Sequence, residues 1–286
     1  MKFAVSIISP PAYQHSEAFR EIGETIHYAL LEMGYNSILT SQTDIPERQH
    51  IILGSNLLPF YHIKISPNSI LYNLEQITPD SPWLQPALLA ILQQYPVWDY
   101  SQNNIEQFVH LGVTSAQYVP IGYVPQLTRI DQTEEDIDVL FYGSLNDRRW
   151  HIIQSLKAHG VKAEAVFGVY GNERDKLIAR SKILLNIHFY EAKVFEVVGV
   201  SYLLANQRFV ISERGSNPVE EAAFSTGVVL AEYENLVKTC LDFLSRSEDR
   251  RFVAEAGFKI MSQRSETDYL KTVGFVLAEW RMAQGA

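Results

Sequence analysis

Two adjacent arginines, Arg148 and Arg149, follow an apolar run and a glycine in the segment FYGSLNDRRW at 141–150. This order predicts a strand that ends near Gly143 and a helix that begins with the arginines. Because arginine opposes the helix dipole at this end, a bound phosphate would explain why two of them are present. The alternative is a solvated first helical turn.

An acid and a histidine follow in the next part of the chain. The apolar segment ILLNIHF at 183–189 predicts a buried strand that carries His188 near its end, and Glu196 comes eight residues later in the next predicted helix, 192–207. Since the neighbours of Glu196 are apolar, its carboxylate is either buried with partners or faces a cleft, where it could accept both hydroxyls of a ribose. The alternatives are a surface or capping acid for Glu196 and a hydrogen-bonded core histidine for His188.

The sequence lacks the motifs of several other kinds of site. The chain has no G-x-G-x-x-G fingerprint and no Walker loop, and its histidines and single cysteine form no zinc pattern. The segment DID at 136–138 has the form of a metal-binding Asp-x-Asp, but it precedes its strand and follows other acids. The solvated interpretation is therefore favoured there, and no metal site is predicted.

Strand and helix patterns alternate along the whole chain, which predicts an α/β fold of two Rossmann-like domains. The segment VPQLTRIDQTEED at 124–136 has no apolar period. We therefore predict a first domain at 1–124, a linker at 125–136 and a second domain at 137–286 that ends in helices. Ligands of such sheets bind beyond the carboxyl ends of the strands.

Composition limits the partners. The net charge of −9 over 286 residues disfavours binding to nucleic acid or to an anionic membrane. One cysteine, Cys240, allows no internal disulfide, so a cytoplasmic location is expected. We find neither a signal peptide nor a transmembrane segment, and peripheral membrane contact stays open.

The second half resembles a known family. The segments DVLFYGSLNDRR, ARSKILLNIHFYEAKVFEVVGVSYLLANQRFVISE and SEDRRFVAEAGFKIM are similar to the C-terminal domain of group-1 glycosyltransferases, and most to the subgroup related to spore maturation proteins. The resemblance covers roughly 95–285. It implies the GT-B fold, in which two Rossmann-like domains face a cleft and the C-terminal one holds most of a nucleotide sugar. It also implies that neither a metal nor a cofactor is required.

The resemblance assigns roles to single residues. Arg149 lies where the family has a diphosphate-binding lysine, and Ser144 lies where an arginine is common, so Arg148 is expected to replace that contact. Glu196 matches the ribose-binding glutamate, and His188 stands where the family has another glutamate. The remaining implied donor-site residues are Gly143, Gly168, Val169 and Tyr170 beside the nucleobase or phosphates, Tyr190, Glu191, Lys193, Val194 and Phe195 beside the sugar, and Ser212 with Glu213 below the diphosphate.

The resulting hypothesis is a metal-independent and retaining glycosyltransferase that uses a nucleotide-diphosphate sugar and an unknown acceptor. Its predicted catalytic residues are His188, Glu191, His15 and Glu17, with Glu75 and Asp99 as further possible bases. One alternative is a module of the same fold that binds a nucleotide or a glycan without catalysis. Another is a nucleotide-sugar epimerase, which would form its product without an acceptor.

Overall fold

A computed structural model of the chain describes residues 1–78, 81–190 and 193–273. Within these ranges no helix is both long enough and apolar enough to cross a bilayer. Glu191, one of the predicted catalytic residues, lies outside the described residues.

The chain forms two compact units, and the first is built from two separate stretches. Unit 1 comprises residues 1–126 and the described residues 264–273, and unit 2 comprises residues 127–263. The sequence analysis assigned 264–273 to the second domain, whereas the structure places them in unit 1. They are attached there because Tyr123 and Ser265 form a parallel β-bridge.

The segment predicted as a linker, 125–136, is divided between the two units and is held by hydrogen bonds. The side-chain oxygen of Asn206 accepts the backbone N–H groups of Arg129 at 2.7 Å and of Ile130 at 2.8 Å. The guanidinium of Arg208 donates to the carbonyl oxygen of Ile130 at 2.7 Å. The second part of this segment is therefore an ordered edge of unit 2 and not a free spacer.

Unit 1 contains a six-stranded sheet in which all neighbouring strands are parallel. Its strands are β1 (Lys2–Ile7), β2 (Asn36–Thr40), β3 (Gln49–Leu53), β4 (Ser69–Asn73), β5 (Val97–Asp99) and β6 (Ala116–Tyr118). Its labelled helices are α1 (Arg20–Glu32), α2 (Leu58–Tyr61), α3 (Pro86–Leu92) and α4 (Gln102–His110). The strand order is β2-β1-β3-β4-β5-β6, so the direction of winding reverses between β1 and β3.

The central strands β3, β4 and β5 of unit 1 are buried on both faces, as is usual inside a parallel sheet that is covered on both sides. All residues of β3 and β4 are buried, including Ile51 and Ile52 in the middle of β3. After β3 the chain turns at Gly54 with a φ of 84°. A Cβ atom at this position would lie 3.2 Å from the ring of Phe19 and 3.3 Å from Ile8, so glycine suits both the backbone and the space.

Unit 2 contains a five-stranded sheet, again with parallel neighbours, in the order β11-β10-β9-β7-β8. Its strands are β7 (Ile137–Tyr142), β8 (Ala163–Val166), β9 (Ser181–Asn186), β10 (Val210–Glu213) and β11 (Val229–Ala231). Its helices are α5 (Asp147–Ala158), α6 (Gly171–Ala179), α7 (Val197–Ala205), α8 (Pro218–Ala222), α9 (Leu236–Leu244) and α10 (Ser247–Ser262). Here the winding reverses between β7 and β9.

Helix α7 is shorter than the predicted helix at 192–207, because the chain before it makes a turn. Lys193 has a φ of 48°, and the N–H of Val197 bonds to the carbonyl oxygen of Phe195 at 2.8 Å. Glu196 is consequently the N-cap residue of α7 and does not lie inside the helix. This correction moves its carboxylate to the carboxyl edge of the sheet.

Candidate functional site

The turn from β7 into α5 places Arg148 and Arg149 at the carboxyl edge of the unit 2 sheet. Gly143 adopts a φ of 139°, in the region that favours glycine. The side-chain oxygen of Asn146 caps α5 by accepting the N–H of Arg149 at 2.9 Å, and Asp147 puts a negative charge in the first turn. The helix start is thus fixed without the arginine side chains, which are left for other contacts.

Arg149 is buried, with 5% of its surface exposed. Its Nε donates to the carbonyl oxygen of Ile187 at 2.8 Å, its Nη1 to that of Ser144 at 2.8 Å, and its Nη2 to Oε1 of Glu196 at 3.1 Å. Burial lowers the pKa of this guanidinium, and the charge of Glu196 opposes the shift. These contacts contradict the solvated-turn alternative for Arg149.

Arg148 pairs with Glu213, the last residue of β10. Its Nη1 donates to Oε2 of Glu213 at 2.6 Å, its Nη2 donates to Oε1, and its side chain is 29% exposed. The Nζ of Lys193 lies 3.3 Å from Oε1 of the same carboxylate, which is fully buried. Burial alone would raise the pKa of Glu213, but the hydrogen bonds and charge of Arg148 bring it below its ordinary value. The carboxylate is therefore ionised and holds two cations at the edge of the sheet.

The side chain of Glu196 is partly exposed to solvent. Its side chain is 27% exposed, and no hydrogen bond from it caps α7. Burial raises the pKa of this carboxyl group, and the charge of Arg149 opposes that rise. The capping alternative is thus contradicted, and the surface alternative is contradicted by the ion pair with a buried arginine. The geometry thus places a carboxylate that Arg149 holds on a partly exposed side chain.

His188 is fully buried, and within the described part of the chain neither of its ring nitrogens has a hydrogen-bond partner. Its Nδ1 lies 3.9 Å from Oε1 of Glu196, beyond hydrogen-bond distance. Its backbone is well bonded, since its N–H donates to Glu213 at 3.0 Å and its carbonyl accepts from Arg148 at 3.1 Å. Burial lowers the pKa of His188 to about 4, with Glu213 opposing and Arg148 supporting the shift. It is a neutral imidazole and not the hydrogen-bonded core histidine of the alternative interpretation.

The predicted sugar-side residues contribute in different ways. Val194 and Phe195 are core residues, 4% and 3% exposed, and Phe195 packs on the ring of Phe224 at 5.3 Å. Only their backbone can face a ligand. The carbonyl of Tyr190 accepts the N–H of Lys193 at 3.2 Å, which fixes the turn that carries the lysine.

The structure gives Ser144 and Ser212 contacts with other residues of the site. Ser144 contributes its carbonyl oxygen to Arg149. The buried hydroxyl of Ser212 accepts from Asn186 at 3.0 Å and donates to the carbonyl of Glu213 at 3.0 Å. Ser212 thus joins β9 to β10, and its predicted role below a diphosphate can only be indirect.

Gly168, Val169 and Tyr170 lie between β8 and α6. Gly168 has a φ of 72°, and Tyr170 is the N-cap residue of α6. Because β8 is the neighbour of β7, these half-buried residues lie at the same edge of the sheet as the arginines. Their contact with a nucleobase stays a prediction.

His15 and Glu17 lie in a 3-10 helix of unit 1, Gln14–Phe19. The further possible bases Glu75 and Asp99 also lie in unit 1, whereas the predicted donor-site residues that are described lie in unit 2. Both carboxylate oxygens of Glu17 accept from Arg20, at 2.8 and 2.9 Å, and this pairing lowers the pKa of Glu17. The ring of His15 packs edge-on against Tyr13 at 5.3 Å. Glu17 is therefore a weak candidate for a general base.

The predicted bases Glu75 and Asp99 lie at the ends of β4 and β5. Asp99 is fully buried and accepts from the side chain of Asn73 at 2.6 Å, from the side chain of Asn104 at 3.0 Å and from the N–H of Ser101 at 2.8 Å. This set of donors gives Asp99 a structural role. Glu75 is half-buried and belongs to a different cluster, described below.

The two aspartates of the DID segment form separate ion pairs with two different basic residues. Asp136 pairs with Arg180 at 2.5 Å, and Asp138 pairs with Lys182 at 2.6 Å. The described residues contain no group of three or more His, Cys, Asp or Glu side chains that could hold a metal ion. The structure thus gives each acid of this segment a structural partner.

One residue of the site escaped the sequence analysis. The ring of Tyr233 lies 4.0 Å from the guanidinium carbon of Arg148, and its hydroxyl donates to the carbonyl of Arg148 at 2.8 Å. Tyr233 is the last residue of the segment GVVLAEY at 227–233, whose middle part forms β11 next to β10. Its position at a strand end was the available signal.

No family model matches the chain. Among curated proteins, it is 29% identical over 172 residues to the uncharacterized protein L138 and 32% identical over 134 residues to the uncharacterized protein L137, both of Acanthamoeba polyphaga mimivirus. These matches cover 56% and 44% of this chain but 19% and 18% of the two viral proteins. The chain therefore spans less than a fifth of the length of these relatives.

Several solved structures share the fold over nearly the whole chain. Anabaena HepE in complex with UDP and glucose has a TM-score of 0.60 at 10% identity and matches 96% of this chain and 98% of its own. Sucrose-phosphate synthase from Thermosynechococcus elongatus has a TM-score of 0.61 at 10% identity, and AviGT4, a glycosyltransferase involved in avilamycin A biosynthesis, has 0.60 at 15%; both matches cover 98% of each chain. At these identities the likeness concerns the fold, and it confirms the predicted GT-B class of two parallel α/β domains. The subgroup related to spore maturation proteins stays a prediction.

Proposed function

We propose that this chain is a glycosyltransferase that moves a sugar from a nucleoside-diphosphate donor to a hydroxyl group of an acceptor. The observation that carries the proposal is the ion pair between the buried Arg149 and the partly exposed Glu196. It lies where the winding of the unit 2 sheet reverses, and open α/β sheets bind their ligands at such points. The fold is that of HepE, which has been solved with UDP and glucose.

The charge of the site supports an anionic ligand. Arg148, Arg149 and Lys193 contribute three positive charges, and Glu196 and Glu213 contribute two negative ones, which leaves one net positive charge. The N-terminus of α7 adds a partial positive charge next to these groups. A diphosphate would complete this arrangement.

Each residue then has a chemical role. Glu196 accepts hydrogen bonds from the ribose hydroxyls, and Arg149 orients its carboxylate and favours its charged form. Arg148 and Lys193, held by Glu213, stabilise the charge that develops on the leaving β-phosphate. The neutral ring of His188 is fully buried, with its Nδ1 3.9 Å from Oε1 of Glu196, so in this arrangement it packs beside the carboxylate and does not itself contact the donor sugar.

We further propose that the reaction needs no metal ion and no cofactor, because Arg148, Lys193 and the N-terminus of α7 stabilise the charge of the leaving group. The resemblance to group-1 glycosyltransferases supports retention of the anomeric configuration. The donor is a nucleotide sugar, the acceptor class is addressed below, and the negative net charge argues against nucleic acid.

The test is to incubate the purified chain with UDP-glucose, ADP-glucose and GDP-mannose and to measure release of the nucleoside diphosphate. We expect release from one of these donors, and loss of release in Arg149→Ala. The non-catalytic alternative is favoured by the imidazole of His188 at the position of a family carboxylate, and it predicts binding without release. An epimerase would instead convert the donor sugar without releasing nucleotide.

A further inference from the structure

Unit 1 carries a group of aromatic side chains that the proposed donor site does not use. Tyr13 follows β1, Phe60 and Tyr61 follow β3 at the end of α2, and Trp83 follows β4. The ring centroids of Tyr13 and Tyr61 are 6.0 Å apart, and those of Phe60 and Trp83 are 5.8 Å apart. We name these four residues the aromatic platform.

Two rings of the aromatic platform pack against the core of unit 1, and the other two are exposed to solvent. Phe60 is 46% exposed and Tyr61 is 42% exposed. Tyr13 and Trp83 are half-buried and pack against the buried apolar cluster beneath the platform. Exposed aromatic side chains that stand together mark an interaction site, whereas single ones need no explanation.

The position of the platform is that of a ligand site. In unit 1 the winding reverses between β1 and β3, and three of the four rings come from the segments that directly follow these two strands. Open α/β sheets bind ligands outside the carboxyl ends of the strands at this reversal.

A carboxylate lies beside the rings. Glu75 follows β4, and Nδ2 of Asn56, a residue with 2% exposure, donates to its Oε1 at 3.2 Å. Burial raises the pKa of the Tyr13 phenol, and the Glu75 carboxylate close to it adds to the rise. The site therefore combines flat apolar faces with an oriented hydrogen-bond acceptor.

We propose that the aromatic platform and Glu75 bind an oligosaccharide, which rests on the function proposed above and identifies the acceptor as a glycan. A pyranose has one face rich in C–H groups, which packs on an aromatic ring, and a rim of hydroxyls, which a carboxylate can accept. A lipid surface fits less well, because anionic headgroups would be repelled by Glu75 and by the net charge of −9.

The test is a binding titration of the full chain with maltohexaose, cellohexaose and chitohexaose at up to millimolar concentration, without a donor. We expect one of them to bind, and Phe60→Ala and Tyr61→Ala each to weaken binding about tenfold, within the range for loss of one stacked ring. Tyr61→Phe keeps the ring and should retain the affinity. The matched control is Phe252→Ala, since Phe252 is 72% exposed on α10 of unit 2.

Absence of binding to all three oligosaccharides, or binding that the platform variants leave unchanged, would overturn the proposal. Sedimentation with phosphatidylcholine–phosphatidylglycerol vesicles that depends on Phe60, without oligosaccharide binding, would also overturn it and assign the platform to a membrane surface. A thermal shift with UDP on the same samples separates the two proposals. Oligosaccharide binding without any response to nucleotides would count against the donor site, and the reverse would count against the platform.

Discussion

The buried imidazole of His188 should make the stability of the protein depend on pH. Its pKa falls from 6.5 to about 4 on folding, which corresponds to about 3 kcal/mol between the two states. The pKa of His188 is lower in the folded state than in the unfolded state. The stability linked to this shift is therefore fully present above the unfolded-state pKa and is lost as the pH falls toward the folded-state pKa. Between about pH 7 and about pH 4.5, some 2 kcal/mol of unfolding free energy should be lost through this residue alone.

The measurement is urea unfolding of the full chain and of His188→Asn at a series of pH values across this window. Other groups titrate in both proteins, so the difference between the two free-energy profiles isolates His188. The variant should lose about 2 kcal/mol less than the wild type on acidification. His188→Gln serves as a second variant. Either substitution can change the absolute stability, but the test depends only on how the unfolding free energy changes with pH.

A matched control is His159→Asn, at the exposed C-terminal end of α5. It should reproduce the wild-type profile. Parallel profiles for wild type and both His188 variants would refute the assignment of His188 as a buried neutral group beside Glu196.

Two further predictions concern the guanidinium of Arg149 and the packing of α10. Arg149→Ala should lower turnover more than Arg149→Lys, because the lysine ammonium keeps a positive charge beside Glu196, although it cannot reproduce the three hydrogen bonds of the guanidinium. Equal rates of nucleotide release by the two variants would show that this charge does not support Glu196. Gly257→Ala should lower the unfolding free energy by about 1–3 kcal/mol, since its Cβ would lie 2.8 Å from the carbonyl oxygen of Gly227. Gly199→Ala in α7 is the matched change, because its Cβ would meet nothing within 4 Å, and it should stabilise by about 0.5–1 kcal/mol. Equal thermal shifts of the two alanine variants would show that the close approach of Gly227 and Gly257 is not a constraint.

The sequence was informative where local patterns decide the structure. The apolar runs that end near Gly143 and His188 predicted the strands β7 and β9, and the two arginines after Gly143 predicted the start of α5. The joint position of Arg149 and Glu196 followed from one rule, since the carboxyl ends of parallel strands share one edge of a sheet.

Contacts between distant residues could not be predicted in the same way. The start of α7 was placed too early because the apolar sequence around Phe195 suits a helix as well as a buried turn. The assignment of 264–273 to the second domain missed a backbone contact: the side chain of Glu266 accepts the N–H of Gly122 at 2.7 Å. No local pattern marks a partner that lies so far along the chain.

The side-chain partners of the site were also hidden. The sequence placed Arg148 and Arg149 together as phosphate ligands, but the structure gives them different carboxylates. Arg148 holds Glu213, and Arg149 holds Glu196. Since both arginines occupy the first turn of one helix, only the direction of each side chain separates these roles.

The most direct test of the donor site is calorimetric titration of UDP into the wild type, Glu196→Ala and the control Glu248→Ala, whose carboxylate lies on the exposed side of α10. The account predicts that Glu196→Ala weakens UDP binding by about 1–3 kcal/mol, or about 5- to 150-fold, the cost of leaving the ribose hydroxyls and Arg149 without their partner. Glu248→Ala should bind like the wild type. Equal UDP affinities of the wild type and Glu196→Ala would contradict a nucleotide-sugar site at this edge of unit 2.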